Sequence, residues 1–327
     1  MRPSTGSNLC LRDPAAAPRA YEPFVADVLA GLRETPKRIS PMYFYDARGS
    51  ALFDLICELP EYYPTRTETQ ILETHGDDIA RCIGDDALLV EFGSGSSLKT
   101  RLLLDRLPTL SAYVPVDISR SHLMMAAQGI CAAYPNLEVL PVCADFTQPF
   151  DAPAPRRKAS RVVVFFPGST IGNFDPPQAM ELLQVMRDVA GAQGSLLIGT
   201  DLVKEVNVLL RAYDDAQGVT AAFNLNVLRR FNAELGADFD LDSFRHRVVW
   251  NAEASRIEMH LVSTRDQQVS LAGESLGFLA GEAIVTEHCH KYTTSGFARQ
   301  AAGAGWEMRE HWLDDRGYFS VNYAEAT

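Results

Sequence analysis

Several polar residues in this 327-residue chain stand just where apolar runs stop, as strand ends do. The run Leu88, Leu89, Val90 reaches Glu91 and Phe92, then Gly93, Ser94, Gly95, Ser96, Ser97, Leu98, Lys99 and Thr100. Glycine suits positions of positive φ or close approach to a ligand, and serine caps a helix. The stretch therefore reads as a strand, a tight turn and a helix, the place where α/β folds bind nucleotide-like ligands. A dinucleotide fingerprint wants a third glycine where Leu98 stands. A phosphate-cradling loop, GxxxxGK followed by Ser or Thr, fails at the same place, although Lys99 and Thr100 follow. What remains is an acid-x-Gly-x-Gly loop, which suits an adenosine cofactor without phosphate, such as S-adenosylmethionine. On its own the loop equally suits a purely structural turn.

The other strand ends narrow that choice. Asp117 ends the run from Ala112, where an acid accepts hydrogen bonds from both ribose hydroxyls. Asp145 and Phe146 follow the next run, where a carboxylate and a backbone N–H match an adenine edge. Asn173 lies in a Gly-containing turn after the run 162–166. Any one of these acids is more simply a helix cap or a solvated charge. All of them in strand order favour an adenosine site. A dehydrogenase would share the first two strand ends but lacks its third glycine and a hydride partner. Methyl transfer needs less: displacement at a sulfonium methyl requires an uncharged nucleophile held in line, so positioning dominates.

Elements of regular length must hold these residues. Alternating strands and helices between 88 and 201 predict a doubly wound parallel sheet. Helices are expected at 21–33, around 53–59, at 67–79, 100–107, 120–134, 177–190 and 295–304. Strands are expected at 112–118, 137–142, 162–166 and 195–198. Residues 204–235 read as mostly helical, and the region after them alternates like antiparallel strands with turns near 251–254 and 265–267. A hairpin about 314–317 closes the chain. Tyr43, Tyr45, Tyr62 and Tyr63 suit either a pocket wall or the packing of two helices, and spacing favours packing.

Composition excludes several classes. Hydrophobic content of 46% and charged content of 22% are those of a globular protein. The net charge of −12, from 30 basic and 42 acidic residues, argues against a broad nucleic-acid surface. No apolar run approaches membrane-span length, and residues 1–20 read as a mobile tail without a signal core. Six cysteines without a CxxC pair predict reduced thiols and a cytoplasmic protein. His288, Cys289 and His290 are adjacent, so their side chains diverge, and no metal site is expected.

The resemblance to a known family is carried by the segments FYDARGSALFDLICELPEYYPTRTETQIL, VEFGSGSSLKT, FFPGSTIGNFDP, LVKEVNVLLRAYDDAQGVTAAFNLNVL and RIEMHLVS. Across residues 24–319 the chain resembles the histidine-specific N-alpha-methyltransferases of ergothioneine biosynthesis. The resemblance implies an α/β fold, with a Rossmann-like class I methyltransferase core (residues 62–201 and 287–327) and a second α+β substrate domain (residues 21–61 and 202–286). It implies S-adenosylmethionine held by Tyr45, Gly93, Gly95, Lys99, Asp117, Asp145 and Phe146. Tyr62, Gly168, Asn173 and Tyr213 would meet the amino and carboxyl groups of an amino-acid substrate, with Asn173, Tyr45 and Tyr213 as the catalytic group. Met259, Glu287 and Cys289 would surround its side chain. A neutral Asn suits the amine better than an acid, because a carboxylate favours the ammonium form, which cannot attack. The family carries Ser where this chain has Cys289, and a thiol is the weaker donor and acceptor. The expectation is successive N-methylation of L-histidine to the trimethyl betaine by a monomer with no nucleic-acid or membrane partner. The alternatives are a paralogue acting on another aromatic or modified amino acid, and a non-catalytic cofactor-binding regulator.

Overall fold

The computed structural model describes residues 10–11, 21–94 and 98–327. Helix α1 (Tyr21–Arg33), the short strand β1 (Lys37–Arg38) and helices α2 (Ala47–Glu58) and α3 (Tyr63–Ile83) come first. Then strands and helices alternate: β2 (Leu88–Phe92), α4 (Leu98–Leu104), β3 (Ala112–Asp117), α5 (Arg120–Ala133), β4 (Val142–Cys143), β5 (Val162–Phe166), α6 (Pro176–Ala190) and β6 (Ser195–Asp201). Helices α7 (Val206–Tyr213) and α8 (Val219–Leu235) lead into strands β7 (Phe244–Asn251), β8 (Arg256–Ser263), β9 (Gln267–Leu271), β10 (Glu274–Phe278) and β11 (Ala283–His290). Helix α9 (Thr294–Gly303) and the hairpin β12 (Trp306–Leu313) and β13 (Phe319–Ala326) finish the chain.

The expected doubly wound sheet is present, in the order β12-β13-β6-β5-β2-β3-β4. β2 and β6 are buried along their whole length, as strands covered on both faces must be, and each is built on an apolar run, residues 88–90 and 196–198. Helices α3 and α4 cover one face through Ile71, Ile79 and Leu103; α6 and α9 cover the other through Leu183, Met186 and Phe297. The chain moves from β2 outward to β4, then returns to β5 beside β2. This reversal opens a crevice at the carboxyl ends of β2 and β5, where such sheets bind ligands.

A second sheet, β1-β11-β8-β7, packs with α1, α2 and α8 around Leu32, Phe44, Phe231, Met259 and Ile284. β11 belongs wholly to this sheet and runs on to His290, so the expected boundary at 286 falls inside it. α3 begins four residues before the expected helix because Pro64 lies in its first turn, where no N–H is needed. The strand expected at 137–142 contracts to Val142–Cys143 plus a bridge at Val139, since Pro141 cannot donate to a ladder. Cysteine pairing also differs from expectation: Cys10 is joined to Cys131, while Cys57, Cys82, Cys143 and Cys289 are free. The two are 121 residues apart, with Cα atoms 5.9 Å from one another, a proximity that sequence spacing does not show. Of the expected mobile tail, Cys10 and Leu11 are held instead, Leu11 by a bridge to Val139; the rest lies outside the described residues. No described helix is long and apolar enough to cross a membrane.

The two sheets meet where the turn Thr170–Asn173 lies against β11. Gly172 makes the approach possible: a Cβ there would stand 2.8 Å from the His290 carbonyl oxygen. That neighbour is backbone and has little room to retreat. Gly172→Ala should therefore push the turn off β11 and lower turnover at least about tenfold while leaving cofactor affinity nearly intact, because positioning errors of about an ångström cost catalysis heavily. Steady-state kinetics beside calorimetry of cofactor-product binding reads both quantities, and wild-type turnover would contradict the packing argument.

Candidate active site

At the crevice, β2 turns at Gly93, whose φ of +73° favours glycine and whose N–H bonds the Val116 carbonyl at 2.8 Å. A Cβ here would reach the Phe146 ring at 3.6 Å. Just inside, Glu91 is buried and accepts from Thr100 at 2.7 Å and from the Tyr113 hydroxyl at 2.5 Å. Burial pushes its carboxyl up to about 7, although those two bonds pull the other way. Asp117 ends β3 and accepts from the Ser119 N–H at 2.8 Å; burial raises its pKa too. Asp145 accepts from the Thr147 N–H and hydroxyl at 3.0 and 2.7 Å, fixing the loop that presents Phe146. That ring packs between Phe92 and Phe166, with centroids 5.7 and 5.6 Å away.

Lys99 borders the cavity with its charge paired. Its ammonium pairs at 2.5 Å with Glu68, a buried α3 carboxylate that also accepts from the Gly168 N–H at 2.8 Å. The crevice thus presents Glu91, Asp117 and Asp145, and its nearby lysine is neutralised. Carboxylates there suit hydroxyl, amino or cationic groups better than a phosphate, and Gly93 has no side chain to narrow the crevice.

The second half of the site comes from the turn and β11. Glu287 and Cys289 share one face of the strand, as alternate residues do. Asn173 and Glu287 both border the cavity. Burial pushes Glu287 up to about 7, against the opposing pull of Lys291 and Asn173. Tyr213 donates to the Cys289 sulfur at 2.8 Å, and burial holds the Tyr62 and Tyr213 hydroxyls firmly in the protonated form. Tyr62 packs edge-on against Tyr213 and Phe53, with centroids 6.2 and 6.1 Å apart, and Tyr45 packs against Phe53 and Phe223. Of the four tyrosines flagged in the sequence, Tyr43 and Tyr63 are buried in packing while Tyr45 and Tyr62 form wall.

A single cavity of about 1300 Å³ joins both halves. Tyr45, Tyr62, Gly93, Lys99, Asp117, Asp145, Phe146, Gly168, Asn173, Tyr213, Met259, Glu287 and Cys289 all border it. Gly95 lies outside the described residues. Sequence reading missed Glu68, although a charged residue in line with Ile71 and Leu72 on an apolar helix face was a signal. It also missed Asp201, which ends β6 as Asp117 ends β3, and the buried Lys291 that pairs with it at 2.7 Å.

His288 and His290 point to the other side of β11, toward Asp175 at the start of α6. Asp175 Oδ1 meets His288 Nδ1 at 3.0 Å, His290 Nε2 at 3.2 Å and Arg256 at 2.8 Å; Oδ2 meets Arg38 at 3.3 Å. The carboxylate and both imidazoles could in principle hold a metal ion, their ligand atoms lying within 4.8 Å of one another. Two guanidiniums already occupy that space, however, one of them 3.2 Å from His288 Nδ1. The cluster is an ion-pair hub that ties the two sheets together. Burial alone would raise the Asp175 carboxyl, but bonds from His290, His288 and Arg38 hold it down to about 2. Since its folded value lies below the unfolded one near 3.8, its contribution is complete above about pH 4 and vanishes as pH falls toward about 2. Asp175→Asn should therefore melt below wild type at neutral pH, and the gap should close between about pH 4 and pH 2 in thermal scans. A gap independent of pH would remove the hub from this role.

Comparison with known proteins agrees with this arrangement. Residues 24–326 match the model of the SAM-dependent, histidine-specific methyltransferase family. A histidine N-alpha-methyltransferase of Mycolicibacterium smegmatis is 45% identical over 97% of this chain and 99% of its own length. One from Mycobacterium tuberculosis is 43% identical over 91% of this chain and 93% of its own. Ergothioneine biosynthesis protein 1 of Neurospora crassa is 29% identical over 88% of this chain, which spans 33% of that longer protein. With a family match over nearly the whole chain, the protein belongs to the histidine-specific, SAM-dependent methyltransferases.

Proposed function

We propose that this enzyme transfers methyl groups from S-adenosylmethionine to the α-amino group of L-histidine, in successive steps to the trimethyl betaine. The observation that carries the reading is that Asn173, Tyr213, Glu287 and Cys289 border the same cavity as Gly93, Asp117 and Asp145. The seat of the reacting amine and the acid that accepts a ring N–H thus face one space. The Asn173 side-chain carbonyl would orient the lone pair of the amine without favouring the ammonium form. The protonated hydroxyls of Tyr62 and Tyr213 donate to the carboxylate, and Tyr45 closes the wall on the cofactor side. Glu287 and Cys289 grip the imidazole over Met259.

The cofactor would lie along Gly93, Asp117, Asp145 and Phe146, with Lys99 acting through Glu68 and Gly168 to fix the floor. When bound, it supplies an electrophilic methyl group beside a positive sulfur. The chain's contribution is geometric: it holds the amine in line and keeps water out of the cavity between the sheets. No covalent intermediate is required, so Cys289 is a contact and not a nucleophile. We further infer a cytoplasmic monomer without nucleic-acid or membrane partners, the acidic charge bearing on the nucleic acid alone.

Cys289 favours one other reading, a paralogue acting on a less polar or methylated ring. Mass spectrometry of reactions with each amino acid and with methylated histidines separates the two. Histidine should be consumed first, with mono- and dimethyl forms preceding the trimethyl product. Preferential methylation of another amino acid would overturn the histidine assignment. Cys289→Ser should sharpen the preference for histidine, and an unchanged product spectrum would remove Cys289 from selectivity.

A further inference from the structure

Beneath the substrate wall lies a buried charge cluster that the methyl-transfer reading does not use. Lys291 follows β11, and its side chain is entirely excluded from solvent. Its ammonium lies 2.7 Å from Asp201 Oδ2, 2.9 Å from the Tyr213 hydroxyl oxygen and 3.0 Å from the Cys289 sulfur. An ammonium has three N–H donors and no acceptor, so all of its hydrogen bonds are spent and each runs outward from nitrogen. The Tyr213 oxygen and the Cys289 sulfur must both accept.

That direction has consequences for what each group still offers. Tyr213, already accepting from Lys291, presents its own O–H, which lies on Cys289 at 2.8 Å. Cys289, accepting from both Lys291 and Tyr213, keeps its S–H for the cavity. Burial pushes the thiol pKa up despite the nearby Lys291, so that proton stays in place. Glu287, two residues earlier on the same face of β11, is an acceptor when ionised.

We propose that Lys291 is a positioning residue that sets hydrogen-bond direction across the substrate wall, making Tyr213 and Cys289 donors. This rests on the histidine reading above and deepens it. A donor at Cys289 and an acceptor at Glu287 together select a neutral ring with one N–H and one bare nitrogen, as imidazole has. An indole or pyrrole, which has only N–H, leaves the thiol without an acceptor. Tyr213, as an obligate donor, selects the substrate carboxylate. The ammonium itself is anchored through Asp201, which ends β6 and also binds Lys204 at 2.5 Å and the Tyr63 hydroxyl at 2.7 Å. Asp201 therefore keeps two partners if Lys291 is replaced.

Lys291→Met and Lys291→Gln, the second retaining an amide donor, are to be compared with wild type in steady-state kinetics on histidine and on 3-(pyrrol-2-yl)alanine. Calorimetry with S-adenosylhomocysteine runs alongside. The expected result is a histidine KM raised about tenfold or more in Lys291→Met, the scale of a lost charged hydrogen bond. Lys291→Gln should show a smaller rise, cofactor-product affinity should be retained, and discrimination against the pyrrole should fall. In a Tyr213→Phe background the change in KM caused by Lys291→Met should shrink, because Lys291 acts through Tyr213. Unchanged KM and ring discrimination would overturn the proposal, as would equal losses of histidine and cofactor-product binding. If Lys291→Met does not fold, Lys291→Gln is read against the same outcomes. Wild-type protein that binds S-adenosylhomocysteine but does not methylate histidine would sink the functional reading, and needs no variant to reveal it.

Discussion

β11 carries the residues that would grip the substrate side chain, yet it belongs to a different sheet from the strands that would hold the cofactor. A site exists only while the turn Thr170–Asn173 stays against that strand. Gly172 permits the contact, and two acids from the methyltransferase core secure it on either side. Asp175, at the start of α6, takes His288, His290, Arg256 and Arg38 from the second unit. Asp201, at the end of β6, takes Lys291. The strand is thus pinned by ionic contacts at one end and along its outer face, while its inner face stays free for a ligand.

The acids of this protein divide by task. Burial would raise both Asp175 and Asp201, but surrounding cations keep them low and ionised, as suits structural anchors. Glu91, Asp117 and Glu287 border the cavity with fewer compensating charges, and burial raises all three. A carboxylate in that condition gains most from an arriving cation or N–H donor. A cavity walled in this way suits the sulfonium cofactor and ring donor of the proposed reaction better than a phosphate. Lys99 reinforces the selectivity by being committed to Glu68.

Much of this was legible in the sequence for a physical reason. Strands buried on both faces carry apolar runs, so LLV in β2, VVVFF in β5 and LLI in β6 announced themselves, and polar residues near their ends marked the crevice. Family segments then supplied the wall from the second unit, whose residues are scattered between Tyr45 and Cys289. What stayed hidden depends on contacts between distant segments. Lys291 looks like a surface lysine until Asp201 is beside it, and Asp175 looks like an ordinary helix cap until β11 folds over it. Cys10 and Cys131 carry no local sign of pairing. The split of β11 between two expected domains has the same origin: hydrophobic alternation shows a strand but not which sheet it joins.

The central claim is that one cavity holds the cofactor against the core strands and an amino acid against β11, with the reacting amine at Asn173. A crystal structure of the protein with S-adenosylhomocysteine and histidine tests it most directly. The account predicts the adenosine along Gly93, Asp117 and Asp145, the amine within hydrogen-bond distance of the Asn173 carbonyl, and the imidazole between Glu287 and Cys289. Histidine bound with its amine turned away from Asn173 and its ring away from β11 would contradict it.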